Sequence, residues 1–161
     1  METAQRLIKI HIAVEVTTGQ IISLEISDEK VGDNKKLKPL IKKAKQKASI
    51  AKLLGDGSYD SKASFRYLAT QNITPIIKVR KNSSFRSRGC FERKKAVVFQ
   101  LNNPYWKMQV GYGQRWKAES AFSCIKRCFG EHICATKYAN MVNELILKAN
   151  IYNLFMNLNR Q

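Results

Sequence analysis

The chain has 161 residues and a formal net charge of +17, from 29 Lys and Arg against 12 Asp and Glu. Its length suits one domain that buries roughly two thirds of its unfolded surface, and a hydrophobic content of 44% is typical of globular proteins. No run of eighteen apolar residues and no signal-peptide layout is present, so we expect neither membrane insertion nor secretion. The charge favours DNA or RNA as a partner, with a solvated basic surface as the alternative.

An antiparallel hairpin is predicted at the start of the chain. Apolar residues at every second position from Ile8 to Val16 share one face, and polar residues such as His11 share the other. This is the period of a half-buried strand. A second alternating run follows a Thr-Thr-Gly turn at 17–19, which predicts a hairpin over residues 6–27.

A basic amphipathic helix is predicted over residues 35–48. Apolar residues recur at helical spacing along one side. Lysines occupy the remaining surface: Lys35, Lys36, Lys38, Lys42, Lys43, Lys45 and Lys47. These lysines either form a solvated face on a helix that packs against the sheet, or contact DNA directly, and the sequence leaves both readings open.

Residues 50–79 predict a strand, a helix and a second strand. An apolar run leads directly into an acidic residue, Asp56, at the expected tip of the first strand. Ser61 can cap a helix that ends near Ala69, and a strand over residues 73–79 follows. Such a unit implies a parallel crossover within an α/β sheet.

Segment 80–103 is predicted to be basic and irregular, with a short strand over Val97–Leu101. Its basic residues alternate with aromatic ones, which suits either contact with a nucleic-acid backbone or a mobile surface loop. Residues 112–161 are predicted to form helices. The first begins near Gly113, and an apolar-rich helix covers residues 139–159.

Cysteine and histidine residues near the end of the first of these helices do not match the spacing of a common zinc module. The residues concerned are Cys124, Cys128, His132 and Cys134. No CxxC pair is present, and a reduced, intracellular protein is expected. We interpret the cysteines as small, half-buried helix residues and assign them no role.

Tyr112, Arg115, Glu119 and Lys126 form the most informative spacing in the chain. On a continuous helix of about 100° per residue, the other three project within about 40° of Glu119. An apolar stripe beside them places the Glu119 carboxylate at the edge of the core. Arg115 and Glu119, four residues apart, can also form an ordinary helix ion pair.

This spacing resembles the YREK signature of DDE transposases from bacterial and archaeal insertion sequences, with Tyr, Arg, Glu and Lys all in place. The stretch at Asp56, followed by Tyr59 and Asp60, resembles the second acidic motif of the same family. The predicted hairpin, the basic helix and residues 31–35 look like the intervening segment of the same family. The resemblance extends from about residue 6 to residue 160.

The resemblance implies a ribonuclease H-like mixed sheet flanked by helices, in which three carboxylates hold two Mg²⁺ ions and cleave and join double-stranded DNA. Asp56 would be the second catalytic carboxylate and metal ligand, and Glu119 the third. Tyr112, Arg115 and Lys126 would bind phosphates of the transposon end. A packed core tyrosine is the alternative for Tyr112.

The chain departs from the family where the first catalytic Asp is expected, on a strand before the hairpin. Glu2 is in the wrong setting, and Glu15 and Glu25 lie inside the predicted hairpin. Asp60 is not a family metal ligand and is expected to cap the following helix. We therefore predict a single partial catalytic domain over residues 1–161 that lacks its first strand.

Such a fragment is expected to be inactive alone and to act with a second copy or a full-length transposase. It would be cytoplasmic and associated with the nucleoid, with no membrane partner. A basic DNA-binding remnant without enzymatic activity is the alternative, and an RNA-binding protein of ribosomal type would also explain the charge.

Overall fold

The structure is a computed structural model that describes residues 8–86 and 88–159. In chain order its elements are β1 (Ile8–Val14), β2 (Ile21–Asp28), α1 (Asp33–Lys45), β3 (Lys52–Gly55), α2 (Lys62–Thr70), β4 (Thr74–Ile77), α3 (Phe91–Asn102), α4 (Trp106–Gln109), α5 (Trp116–Phe129) and α6 (Tyr138–Leu158). Helices and small sheets together confirm the α/β class. Positions 6–7 of the predicted hairpin, and Glu2, lie outside the described residues.

The chain divides into two compact units. The central unit is Val31–Arg115, and the terminal unit combines Met1–Lys30 with Trp116–Gln161. Within the part of the chain that the structure describes, each unit has one two-stranded sheet, antiparallel in the terminal unit and parallel in the central unit. Among the described residues, no helix has the length and apolar character needed to cross a bilayer.

The predicted hairpin is confirmed in the terminal unit, where β1 pairs with β2 and Ile12 lies opposite Leu24. Burial of His11 was not expected from the alternating pattern: its side chain is 3% exposed and shares a 2.9 Å hydrogen bond with Ser27 Oγ. The hydrogen bond removes much of the cost of burying the imidazole. A polar residue on an alternating strand therefore does not always mark the solvent face.

Helix α6 packs on the hairpin through Ala149 and Tyr152, which form a buried cluster with Ile21. The side-chain amide of Asn153 accepts from Ile21 N at 2.8 Å and donates to Ile21 O at 2.9 Å. Tyr152 donates to Gly19 O in the hairpin turn at 2.9 Å. The predicted helix over 139–159 is confirmed, and its side chains complete backbone hydrogen bonding at the start of β2.

The predicted basic helix is confirmed as α1 in the central unit. Its apolar face is buried as expected: Leu37, Leu40, Ile41 and Ala44 are each at most 4% exposed. Six of the seven lysines are exposed, and Lys36 is half-buried. Burial of one stripe and exposure of the basic residues is the arrangement that a surface helix requires.

The predicted strand–helix–strand unit is also confirmed. β3 and β4 are parallel, with Leu54 opposite Ile76, and α2 forms the connection between them. Ser61 caps α2 by accepting a 3.0 Å hydrogen bond from Ser64 N. Phe65 and Leu68 of this helix are completely buried. The crossover therefore fixes the end of β3, where Asp56 begins the next turn.

The prediction for residues 80–103 was wrong in its second half. Residues Phe91–Asn102 form helix α3, which includes the segment predicted as a short strand. Val97 is the one residue of this helix that is fully buried, so the sequence shows little amphipathic periodicity. Gln100 attaches the helix to the end of β4 by donating to Ile77 O and accepting from Val79 N.

Candidate metal and nucleic-acid site

Asp56 follows the last residue of β3 and caps the short 3₁₀ turn Gly57–Tyr59. Ser58 donates two hydrogen bonds to its carboxylate, one from the backbone N–H at 2.9 Å and one from the hydroxyl. Both hydrogen bonds go to Oδ1. The carboxylate is therefore held in one orientation at the strand tip, as a metal ligand must be.

A cleft of about 520 Å³ surrounds Asp56, and all of its lining residues belong to the central unit. We call it the Asp56 cleft. Five cationic side chains line it: Lys78, Arg80, Lys81, Lys107 and Arg115. One acidic side chain among five basic ones gives a positive field, which attracts anions such as a phosphodiester.

Tyr112 is packed beneath the Asp56 cleft. It is 8% exposed, and its hydroxyl donates a 3.1 Å hydrogen bond to the carbonyl oxygen of Gly55, the residue before Asp56. Its ring centroid lies 4.9 Å from that of Trp106. The structure thus places Tyr112 in the packed position that the sequence left as an alternative, and direct DNA contact stays a prediction.

Arg115 lines the same cleft, with its Cζ atom 6.0 Å from the centroid of the Tyr112 ring. Tyr112 and Arg115 belong to a 3₁₀ turn, and helix α5 begins at Trp116 instead of near Gly113. The prediction of one helical stripe was therefore wrong at its first two positions. Gly111 has φ +68°, in the left-handed region, and the 3₁₀ turn follows it directly.

Glu119 and Lys126 lie on α5 in the terminal unit. Glu119 is exposed, which corrects its expected place at the edge of the core: α5 buries the face that contains Ala121, and two residues of separation turn Glu119 away from it. Lys126 forms an exposed 3.1 Å ion pair with Glu131. The structure gathers Asp56, Tyr112 and Arg115 around one cleft, and convergence with Glu119 stays a prediction.

Asp60 does not cap α2, because Ser61 does. The Asp60 carboxylate instead accepts hydrogen bonds from Nε of Arg93 at 2.6 Å and from Nη2 of Arg93 at 2.8 Å. It also accepts a hydrogen bond from the backbone N–H of Arg80 at 3.0 Å. Burial would raise the pKa of Asp60, but the hydrogen bonds from Arg93 and Arg80 outweigh it and lower the pKa. No local spacing in the sequence signals a pair that is 33 residues apart.

Tyr59 is half-buried at the end of the 3₁₀ turn that follows Asp56. Burial, with the negative charges of Asp33 and Asp56, raises its pKa to about 12. Tyr59 therefore stays neutral at physiological pH and can serve as a hydrogen-bonding group but not as a phenolate.

The donor chemistry of Asp56 fits a hard divalent cation, because carboxylate oxygens are the ligands that Mg²⁺ prefers. Across residues 8–86 and 88–159, however, no group of three His, Cys, Asp or Glu side chains could hold a metal ion. Among the described residues that line its cleft, Asp56 supplies the one carboxylate. The central unit therefore fits one ligand of a metal centre and not a complete set.

A carboxylate at a strand tip, set among cations in an α/β fold, is the arrangement expected of a protein that processes nucleic acid. A family model described as "Transposase DDE domain" matches residues 2–154. The chain belongs to this family, which confirms the resemblance to DDE transposases. Members generally use a divalent metal, typically Mg²⁺, and their substrate is DNA. No solved structure matches the chain.

Proposed function

We propose that this chain acts in DNA transposition, through metal-dependent cleavage and strand transfer of transposon-end DNA, and that its units form part of a ribonuclease H-like catalytic domain of YREK type. Membership of the transposase DDE family supports the reaction class. The observation that supports the proposed site is the position of Asp56. Ser58 fixes its carboxylate at a strand tip, inside a cleft lined by five cationic side chains.

Asp56 and Glu119 would hold the divalent metal, since both are carboxylates at positions that match the family motifs. Two metal ions, when bound, would activate the attacking oxygen and stabilise the leaving oxygen of a phosphodiester. The chain's own residues position the substrate. Arg115 can hold a phosphate through two parallel hydrogen bonds, and Lys107 acts as a point charge on the same cleft.

Tyr112 and Ser58 orient the catalytic loop in this proposal. The Tyr112 hydroxyl fixes the carbonyl of Gly55, and Ser58 fixes one oxygen of the next residue, Asp56. A metal ligand that is held from both sides loses little conformational entropy on binding. These two residues therefore act as positioning residues for Asp56 and do not touch the reacting atoms.

A nicking assay tests the catalytic proposal. The substrate is a duplex that carries the inverted repeats flanking the gene, incubated with Mg²⁺ or Mn²⁺. Asp56→Asn and Glu119→Gln should abolish nicking, and Asp28→Asn, at an exposed position at the end of β2, should leave it unchanged. Absence of nicking by the unmodified chain at every concentration of either metal would refute catalysis by this chain alone and would leave DNA binding without catalysis as its function.

A second candidate function is DNA binding without catalysis, either at transposon ends or together with a longer transposase. It is favoured by the net charge of +17 and by the five cationic side chains that line the Asp56 cleft. Under this proposal DNA affinity falls steeply with salt and is unchanged by EDTA. Stronger binding in Mn²⁺ that is lost in Asp56→Asn would instead favour the metal-dependent enzyme.

A further inference from the structure

A second cleft, of about 500 Å³, opens beside the first turn of α2. Its lining residues all belong to the central unit: Asp60, Ser61, Lys62, Arg80, Asn82, Ser83, Ser84, Arg86 and Arg93. We call it the Arg86 cleft. Lys62 and Arg86 belong neither to the transposase motifs nor to the residues that line the Asp56 cleft, so the chemistry at Asp56 does not explain them.

Charge within the Arg86 cleft is unbalanced. Asp60 is the one acidic residue among the nine that line it, and its side chain, 0% exposed, is bonded to Arg93. The charges of these two residues compensate each other. Lys62, Arg80 and Arg86 are exposed and add three further positive charges. An anion that enters the cleft therefore meets three exposed cations, and the one acidic side chain that lines the cleft, Asp60, is already paired with Arg93.

Neutral donors lie between these cations. Ser83 Oγ accepts from Nη2 of Arg93 at 3.0 Å, and Ser84 Oγ accepts from the backbone N–H of Arg86 at 3.2 Å. Both hydroxyls use an oxygen lone pair in these bonds, which leaves each hydroxyl hydrogen to be donated to another acceptor. Hydroxyl groups and basic side chains together are typical of contacts to nucleic-acid phosphates.

The Asp60–Arg93 pair shapes this cleft by holding the segment after β4. Asp60 accepts from the backbone of Arg80 at the beginning of that segment, and Arg93 contacts Ser83 within it. At its other end, Arg66 of α2 donates to Gly89 O. The cationic side chains of this segment are thus presented from an anchored backbone, which reduces the entropy lost when they bind a ligand.

Arg80 lines both the Asp56 cleft and the Arg86 cleft. We propose that the Arg86 cleft binds a backbone phosphate of the DNA strand that passes Asp56, with Arg80 as the residue common to both contacts. A positively charged groove that follows the backbone is a general mode of nucleic-acid binding. This inference rests on the proposed function for its DNA substrate and adds a binding site outside the family motifs.

Fluorescence anisotropy with a labelled duplex in EDTA, over a series of salt concentrations, tests this binding site. Lys62→Gln and Arg86→Gln should each weaken binding and lower the slope of log K against log salt by about 1. The matched control is Lys52→Gln, an exposed lysine at the amino end of β3, whereas Asp56 follows the carboxyl end. Its salt dependence should equal that of the unmodified chain.

Three outcomes separate this inference from the proposed function. The phosphate site alone would be overturned if nicking is intact and the slope of log K against log salt is the same in Lys62→Gln, Arg86→Gln and Lys52→Gln. Reduced slopes without any nicking would support the site and refute catalysis. No DNA binding by the unmodified chain at low salt would overturn both. Thermal unfolding of each variant establishes that the surface changes have not unfolded the protein.

Discussion

Replacement of Arg93 by Met isolates the energetic role of the ion pair with Asp60. Met keeps most of the apolar length of the Arg side chain and removes both hydrogen bonds to the carboxylate. Asp60 is completely buried and Arg93 is 14% exposed, so water cannot replace the lost partner easily. Removal of one partner from such a pair typically costs about 3–5 kcal/mol, and the remaining hydrogen bond from Arg80 favours the lower end of that range.

Urea unfolding at pH 7 measures this loss directly. In thermal unfolding, a loss of about 3 kcal/mol in the free energy of unfolding corresponds to a fall in Tm of roughly 6–12 °C for a chain of this size. Lys94→Met, at an exposed position next to Arg93 on α3, provides a matched control and should change the free energy of unfolding by about 0.5 kcal/mol or less. Equal losses in the two variants would refute the assignment of the pair as a structural anchor.

The pH dependence of the same loss gives a second test. The pKa of Asp60 in the folded chain is below its ordinary value of 3.8. Its contribution to stability is therefore fully present above that ordinary value and is lost as the pH falls through the folded-state pKa. The difference in free energy of unfolding between the unmodified chain and Arg93→Met should become smaller below about pH 4. A gap that stays constant from pH 7 to pH 3 would contradict this account of the carboxylate.

Two further substitutions test the site and the core. Tyr112→Phe keeps the ring and removes the hydrogen bond to Gly55 O, so the free energy of unfolding should fall by about 0.5–1.5 kcal/mol. The affinity for DNA in EDTA should be unchanged, and a large loss of affinity would show that the hydroxyl contacts DNA. Leu68→Ala removes a fully buried side chain and should lower the free energy of unfolding, measured in urea, by about 2–5 kcal/mol. Leu147→Ala, at a position 59% exposed, should lower it far less. Equal losses in the two variants would contradict the assigned core.

Local signals in the sequence predicted the elements whose stability depends on near neighbours. The hairpin has an alternating pattern, and α2 has a capping serine at Ser61 followed by apolar residues at helical spacing. These features act within a few residues, so they can be read without a structure. They also placed Asp56 correctly at the tip of a parallel strand.

The remaining features depend on residues that are distant in the chain. Helix α3 gives little periodic signal because it buries only Val97 completely. The 3₁₀ turn that contains Tyr112 and Arg115, just before α5 begins at Trp116, is a local geometry that the motif spacing does not encode. The Asp60–Arg93 pair forms only when α3 packs beside α2. Sequence reasoning therefore identified the family and the Asp56 turn, but not the basic cleft beside it.

The bonds between Asn153 and Ile21 have a consequence for association between copies of the chain. One side of β2 is paired with β1, and at Ile21 the other side presents a backbone donor and acceptor that the Asn153 amide occupies. An amide side chain here takes the place of one residue of a neighbouring strand. A foreign strand cannot pair with β2 at this residue without displacing the Asn153 amide, so α6 protects the start of this sheet edge against the edge-to-edge pairing that leads to aggregation.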